Sequence, residues 1–207
     1  MAPVSIFLIR HGETDGNKHG IVQKPEVPLN EHGQEQARRL ARRLRGQGIA
    51  RILSSDLARA NMTAEALSAE IGVAVELEPL LQERNFGDLR GRAYASFDED
   101  PMGPNYIPPG GESWETFYDR AAAAWRRVVE VASSTEGALA VTTHGLVCHA
   151  IAQDHLTIEP PLWPPERWGN TSVTIIDGEP PWRVEVLNCT VHLDDQAADD
   201  QSSRSGL

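Results

Sequence analysis

Apolar residues follow two rhythms along this chain. The first is the short solid run: residues 4–9 (VSIFLI), 51–54, 138–143 (ALAVTT), 172–177 and 183–188, with an alternating stretch at 73–77. Runs of this length, bounded by Gly, Pro or charge, predict β-strands, and a continuous run predicts burial on both faces. The second rhythm is the i, i+3, i+4 repeat of an amphipathic helix. Ala37, Leu40, Ala41 and Leu44 predict a helix over 31–45 with Asn30 as its N-cap. Ala60, Ala64, Leu67 and Ile71 predict a second over 57–70, closed by Gly72. Trp114, Phe117, Ala121, Ala124, Val128 and Val131 predict a long helix over 114–133, and 146–154 reads as a short one. Residues 12–28 and 79–112 are Gly- and Pro-rich and read as loops, the second with a short helix at 93–98. Within it, PMGPNYIPPGGES has four prolines and three glycines, which no regular element tolerates.

Strands alternating with helices predict an α/β fold: three layers, a largely parallel sheet with helices on both faces. No linker or repeat interrupts the pattern, so residues 1–193 are expected to form one catalytic domain. Residues 194–207 are acidic and Ser-rich and are expected to be a disordered tail. The 207 residues suffice for one sizeable core. A net charge of −11 and a pI near 5.0 argue against nucleic acid or an anionic membrane as partner. An anionic substrate would then be held by a few local cations. The start, MAPVSIFLIRHG, has no basic n-region and too short an apolar run for a signal peptide, and no stretch approaches the ~20 apolar residues of a membrane span. The expected location is the cytoplasm. Cys148 and Cys189 read as two buried free thiols rather than a disulfide.

Charge falls at the strand ends in a repeated way. VSIFLI runs into Arg10 and His11; RILSSD is followed by Arg59 one turn into the next helix; LAVTT runs into His144 and Gly145. Ligands of open α/β sheets bind at the carboxyl ends of strands, so these three ends would converge. Singly, each residue would be an ordinary surface or structural group. Four together make a site for a small dianion, and a phosphate monoester suits the planar donor fork of Arg. Gly12, Gly16 and Gly20 would let backbone amides approach that anion. The loop is not a Walker A motif, no H-E-x-x-H occurs, and the C-x-x-H of Cys189 and His192 is isolated. No metal and no cofactor are expected.

The segments LIRHGETDGN, PLNEHGQEQA, SSDLARANMTA, LLQERNFGDLRG, PPGGES and VTTHG, in this order over residues 4–150, resemble the histidine phosphatase superfamily in its phosphoglycerate-mutase-like branch. GNTSVTII is similar to the family's last core strand. The resemblance implies His11 as the nucleophile that forms a phosphohistidine. It implies Arg10, Arg59, Asn17 and His144 as groups on the phosphoryl oxygens, and Glu83 as proton donor and acceptor. Phosphoryl transfer needs positioning and charge stabilisation above all. Cations there, including a protonated His144, would act where other enzymes use a metal. His11 must be neutral and Glu83 able to hold a proton.

Two outcomes share this chemistry. The family's mutases carry an insertion after the Glu block that brings further arginines. Here no Arg or Lys lies between Arg92 and Arg120, so a second anionic group would be held poorly and a metal-independent phosphatase is favoured over a mutase. A catalytically weak interaction module is the third reading, opposed by the completeness of the site. Gly16 stands where an aromatic residue is common, and Leu89–Arg90 replace an aromatic–acidic pair. Lys18, His19, Gln23 and Lys24 follow the catalytic loop, either as the pocket rim recognising a second polar group or as a solvated loop. The compatible substrates are small phosphorylated metabolites: sugar phosphates, phosphoglycerate derivatives, phosphoserine or the ribazole phosphate of cobalamin assembly.

Overall fold

The computed structural model describes residues 5–196. Six strands form one sheet: β1 (Ser5–Arg10), β2 (Ile49–Ser54), β3 (Val75–Leu77), β4 (Ala138–Thr143), β5 (Val173–Asp177) and β6 (Val184–Cys189), in the order β3-β2-β4-β1-β5-β6. β3, β2, β4 and β1 pair in parallel, whereas β5 runs antiparallel to β1 and to β6. The sheet is largely parallel as expected and mixed only through β5, which alone runs against the other strands. A short turn can join antiparallel neighbours, whereas each parallel pair needs a crossover.

Side-chain alternation sorts the core into two layers. Ile6 and Leu8 of β1 point to one face, with Leu139, Val141 and Leu53, against α4 (Trp114–Ser133) and α5 (Gly145–His155). Phe7 and Ile9 point to the other face, with Ala140 and Ile52, against α2 (Glu31–Leu44) and α3 (Ala58–Ile71). Every residue of β4 is buried, as its unbroken apolar run requires of a central strand. The caps agree with the sequence: Asn30 Oδ1 accepts from Gly33 N–H, and Gly72 ends α3 at φ 76°.

Four expectations need correction. The loop expected over 12–28 contains α1 (Asp15–His19), started by a reciprocal cap between Thr14 and Asn17. DGNKH has no apolar residue, so no periodicity announces it. The helix expected over 93–98 is one 3-10 turn, Tyr94–Ser96. Val191–Gln196 form a further 3-10 segment that includes Asp194; residues 197–207 of the expected tail lie outside the described residues. Cys148 is buried, but Cys189 is only half-buried, and both are free thiols. Arg43 donates to Cys189 Sγ at 3.2 Å and meets His192 Nδ1 at 3.1 Å, so the C-x-x-H pair faces a guanidinium.

The irregular segment 79–112 is organised by a buried cation. Arg84 is 1 % exposed, lies 3.9 Å over the Trp114 ring, and donates to the carbonyls of Pro101, Tyr106 and Glu112. Meeting its donors with carbonyls and a ring face offsets the cost of burying its charge. No helix among the described residues is long and apolar enough to cross a membrane.

Candidate active site

The strand order makes β2, β4 and β1 neighbours, so Arg59, His144, Arg10 and His11 leave the sheet at one edge. Arg10, His11 and Arg59 line a cavity of about 620 Å3 together with Asn17, Gln23, Glu83 and Gly145, whereas His144 is fully buried and is not part of the lining. The His144 ring stands beside that of His11, centroids 5.1 Å apart.

His11 is 2 % exposed. Its Nδ1–H donates to the Gly12 carbonyl at 2.7 Å, which leaves the lone pair on Nε2. Burial holds its pKa well below the ordinary histidine range, and the charges of Arg59 and Arg10 push the same way. The ring is neutral and held in one orientation.

His144 departs from expectation. Burial, with Arg59, His11 and Arg10 adding to it, holds this ring well below the usual range too, so it is neutral rather than protonated. Its donor comes from a hydroxyl relay. Leu57 N–H donates to Ser55 Oγ at 3.3 Å, and the same hydroxyl lies 2.9 Å from His144 Nε2; when Ser55 donates there, the ring's own proton sits on Nδ1. His144 Nδ1 is a buried atom with no partner in the protein.

Among the buried side-chain nitrogens that share that condition, two are guanidinium donors of this site, Arg10 Nε and Arg59 Nε; the Trp125, Trp168 and Trp182 indoles are others. The Arg10 guanidinium donates to the Trp168 carbonyl, and Arg59 Nη1 to the Lys24 carbonyl at 3.3 Å. Burial lowers Arg59 to about 10; Glu83 opposes this, while Arg10 and Arg90 add to it. Each unmet buried donor costs about 1–3 kcal/mol, and charged groups cost more. Two guanidiniums with unmet donors beside His144 suit an anion. Gly145 packs against Arg10, a Cβ there lying 3.6 Å from Nε. Asn17 gives its Oδ1 to Thr14 N–H at 3.2 Å, leaving its amide NH2 as the donor end.

Glu83 is half-buried. Its two oxygens accept from Arg84 N–H at 3.0 Å and Leu146 N–H at 3.2 Å. Burial nevertheless raises its pKa, outweighing those two bonds and the charges of Arg59 and Arg10. A clamp from α4 sets its place: Arg120 donates to the carbonyls of Leu80 and Gln82 at 2.8 and 2.7 Å and pairs through two nitrogens with Glu112. Glu112 also accepts from Asn85 N–H at 2.8 Å, so both sides of Glu83 are tied to one ion pair.

Of the expected rim, Gln23 and Lys18 line the cavity; His19 and Lys24 do not. Thr14 Oγ–H donates to Gln23 Oε1 at 2.8 Å, and a Cβ on Gly16 would fall 2.5 Å from Gln23 Cγ. Gly16 is thus the complement of Gln23. Leu89 likewise has a home, in a small cluster with Val22 and Phe86. Sequence reading missed Ser55, although it adjoins a strand end already singled out. It also missed Tyr94, a lining residue that burial and Glu83 push up to about 12, and Asn170, which donates to the His11 carbonyl at 3.1 Å.

Gly33 was missed as well. A Cβ on Gly33 would sit 2.0 Å from the Glu13 carbonyl oxygen, and one on Gly12 would sit 2.6 Å from the Gly33 carbonyl oxygen. The catalytic loop thus rests backbone-to-backbone on the start of α2. Gly33→Ala gains up to about 1 kcal/mol of helix propensity but loses about 3 kcal/mol to overpacking, since neither backbone can yield. The expected net loss is about 2 kcal/mol, read as a fall of roughly 5 °C in Tm by calorimetry. Gly16→Ala meets only the flexible Gln23 side chain and should change stability by less than about 1 kcal/mol. Equal losses in the two variants would refute the backbone contact as the cause.

The family model for the histidine phosphatase superfamily (branch 1) matches residues 6–190. The chain is 33 % identical, over 92 % of its length and 87 % of the relative's, to phosphoglycerate mutase-like protein 4 of Arabidopsis thaliana. It is 30 % identical to the probable phosphoglycerate mutase GpmB of Salmonella paratyphi B, with 95 % and 98 % covered. Among solved structures, a mycobacterial glucosyl-3-phosphoglycerate phosphatase, in complex with VO3, superposes with a TM-score of 0.76 at 28 % identity, covering 90 % of this chain and 99 % of that one.

Proposed function

Since the chain belongs to the histidine phosphatase superfamily, branch 1, we propose that it is a phosphomonoesterase that hydrolyses small phosphorylated metabolites through a phosphohistidine on His11, without a metal. The observation that carries this reading is the trio of buried, unpaired nitrogens beside a neutral His11 whose free Nε2 faces no protein partner. Arg10, Arg59 and the Nδ1–H of His144 hold the phosphoryl oxygens, with the Asn17 amide closing on them. His11 Nε2 forms a bond to phosphorus as the ester P–O bond breaks. The Glu83 carboxyl gives its proton to the leaving alkoxide. Water then attacks the phosphohistidine, Glu83 takes the water's proton, and the N–P bond breaks to release phosphate. The charge that spreads over three oxygens is met by fixed donors in a low-dielectric site.

Release to water rather than to a second hydroxyl is supported by the exposed rim residues Lys18, Glu166 and Arg167, which leave the cavity open. The solved phosphatase is consistent with this outcome. The mutase reading has the names of the curated relatives in its favour. Purified protein with p-nitrophenyl phosphate and excess chelator separates the readings. Turnover that persists in the chelator is expected. No turnover between pH 5 and 8 would point to a binding module. Isomerisation of a phosphoglycerate that depends on 2,3-bisphosphoglycerate would point to a mutase.

A further inference from the structure

The segment PPGGES enters no step of the proposed mechanism, although it lies beside the general acid. Its Glu112 pairs with Arg120 of α4, Nε to Oε1 and Nη2 to Oε2, each at 2.8 Å. Both side chains are largely buried, and neither lines the cavity. A buried ion pair repays its desolvation only when further hydrogen bonds complete it. Here they go to one short strap of chain, residues 80–85. Arg120 Nη1 donates to the carbonyls of Leu80 and Gln82 at 2.8 and 2.7 Å, and Nη2 reaches that of Glu83 at 3.3 Å. Thr143 Oγ–H takes the Leu81 carbonyl between them at 2.7 Å. Glu112 Oε2 accepts from Asn85 N–H, and Glu112 N–H donates to the Asn85 carbonyl, both at 2.8 Å. A Cβ on Gly111 would stand 2.3 Å from that same carbonyl oxygen, so the segment lies backbone-to-backbone on the strap. The chain is fixed on both sides of Glu83, and its carboxyl turns only about its own side-chain bonds.

The carboxyl itself has only two bonds. Arg84 N–H is local to the strap, and Leu146 N–H comes from the first turn of α5, so the second bond forms only where the strap brings the carboxyl to α5. A general acid must sit within hydrogen-bond reach of the oxygen it protonates, and a misplacement of about 1 Å can cost about 10²-fold. Resting on the phosphatase reading above, we infer that Glu112 and Arg120 are positioning residues for the general acid: through the backbone of residues 80–85 they hold the Glu83 carboxyl where it meets the leaving oxygen. They act by geometry rather than by charge. The ionisable groups that face the Glu83 carboxyl are Arg59, Arg10, Arg84, Tyr94 and Cys148, and none of them belongs to the pair. The charges of Glu112 and Arg120 neutralise each other.

The test compares two esters that differ in their need for a proton. p-Nitrophenolate leaves without one, whereas the more basic phenolate leaves better with one. The quantity read is kcat/KM, which covers only the steps through P–O cleavage. Arg120→Lys keeps the charge that acts on His144 but loses the fork that spans two carbonyls and a carboxylate. It should lower kcat/KM about 10- to 100-fold on phenyl phosphate and less than about threefold on p-nitrophenyl phosphate. Glu112→Gln keeps an acceptor for Asn85 N–H, so it should lose less on phenyl phosphate, with the same bias between esters. The double variant should lose no more than the worse single one, because the two residues act as a unit. The alkaline limb on phenyl phosphate should also move to lower pH in Arg120→Lys, since a loosened carboxyl is better hydrated and loses part of the burial that raises its pKa. Equal losses on the two esters, or a limb that does not move, would overturn the proposal and leave a pair that only stabilises the fold. Should Arg120→Lys show no melting transition, the ester bias of Glu112→Gln decides alone. If the wild-type protein hydrolyses neither ester, the phosphatase reading has failed, and the placement is read from the Glu83 carboxyl itself by 13C NMR titration, assigned with Glu83→Gln. A titration midpoint that falls in Arg120→Lys would sustain the positioning, and an unchanged midpoint would end it.

Discussion

His11→Ala should lose at least about 10⁴-fold in kcat on any phosphate monoester, because the atom that bonds to phosphorus is gone. Binding should survive. Arg10, Arg59 and His144 take none of their positions from the His11 ring: Arg10 is held by the Trp168 carbonyl, Arg59 by the Lys24 carbonyl and His144 by Ser55. The fold should survive as well. The loss is one hydrogen bond to the Gly12 carbonyl, worth about 1 kcal/mol, while Thr171 N–H still donates to the residue-11 carbonyl at 3.2 Å. Calorimetry should therefore find inorganic phosphate bound within about tenfold of wild-type affinity. Added imidazole, entering the space the ring leaves, should restore part of the turnover. Stopped wild-type reactions should carry phosphorus on the protein, and the variant none. A variant with a tenth of wild-type activity would show that water attacks directly, with His11 in a supporting role.

The chemistry of this site is readable in the sequence where it falls at the end of a strand. β1, β2 and β4 are each marked by an apolar run, a cation follows the first and third at once and the second one turn into the next helix, and the sheet sets the three side by side. That logic reaches Arg10, His11, Arg59 and His144 without coordinates. Asn17 and Glu83 needed the family pattern, since nothing in the spacing of a loop carboxylate distinguishes it from a solvated one.

What was not readable depends on contacts made across the chain. Whether His144 is charged is decided by its complete burial and by Arg59, 85 positions away, and these leave a neutral ring whose proton is steered by Ser55. Gly33 reads as a weak point in a helix. Its reason is the Glu13 carbonyl, 2.0 Å from the position of its missing Cβ. Arg84 reads as a loop residue beside Glu83; its stacking on Trp114 makes it the core of the segment that presents Glu83. Gly16 and Gln23 each read as a departure or an option, and they are one feature.

The pH profile puts Glu83 to a test of sign. In the proposed mechanism the first step needs the carboxylic acid and the second the carboxylate. An unshifted glutamic acid, at a pKa of about 4.3, holds a proton in only about one molecule in several hundred at pH 7. Here burial raises the pKa against two backbone N–H donors and two arginines, and an arriving dianion raises it further. Each unit of rise increases the acid form about tenfold on the alkaline side. His11 must be neutral, and its pKa lies well below the usual histidine value. With an alkyl phosphate, kcat/KM should then hold steady through mildly acid pH, because His11 stays unprotonated there. It should fall about tenfold per unit once pH exceeds the Glu83 pKa. Glu83→Gln should remove this alkaline limb and lower the rate by about 10²- to 10³-fold. The loss on p-nitrophenyl phosphate should be smaller in the first step, since p-nitrophenolate leaves without a proton. Comparing the two esters in one protein cancels the ionisation of the shared active site, and the wild-type profile supplies the limb to be lost. An alkaline limb that persists in Glu83→Gln, or equal losses on both esters, would move the acid role to another group, and Tyr94 on the same wall would be the next to vary.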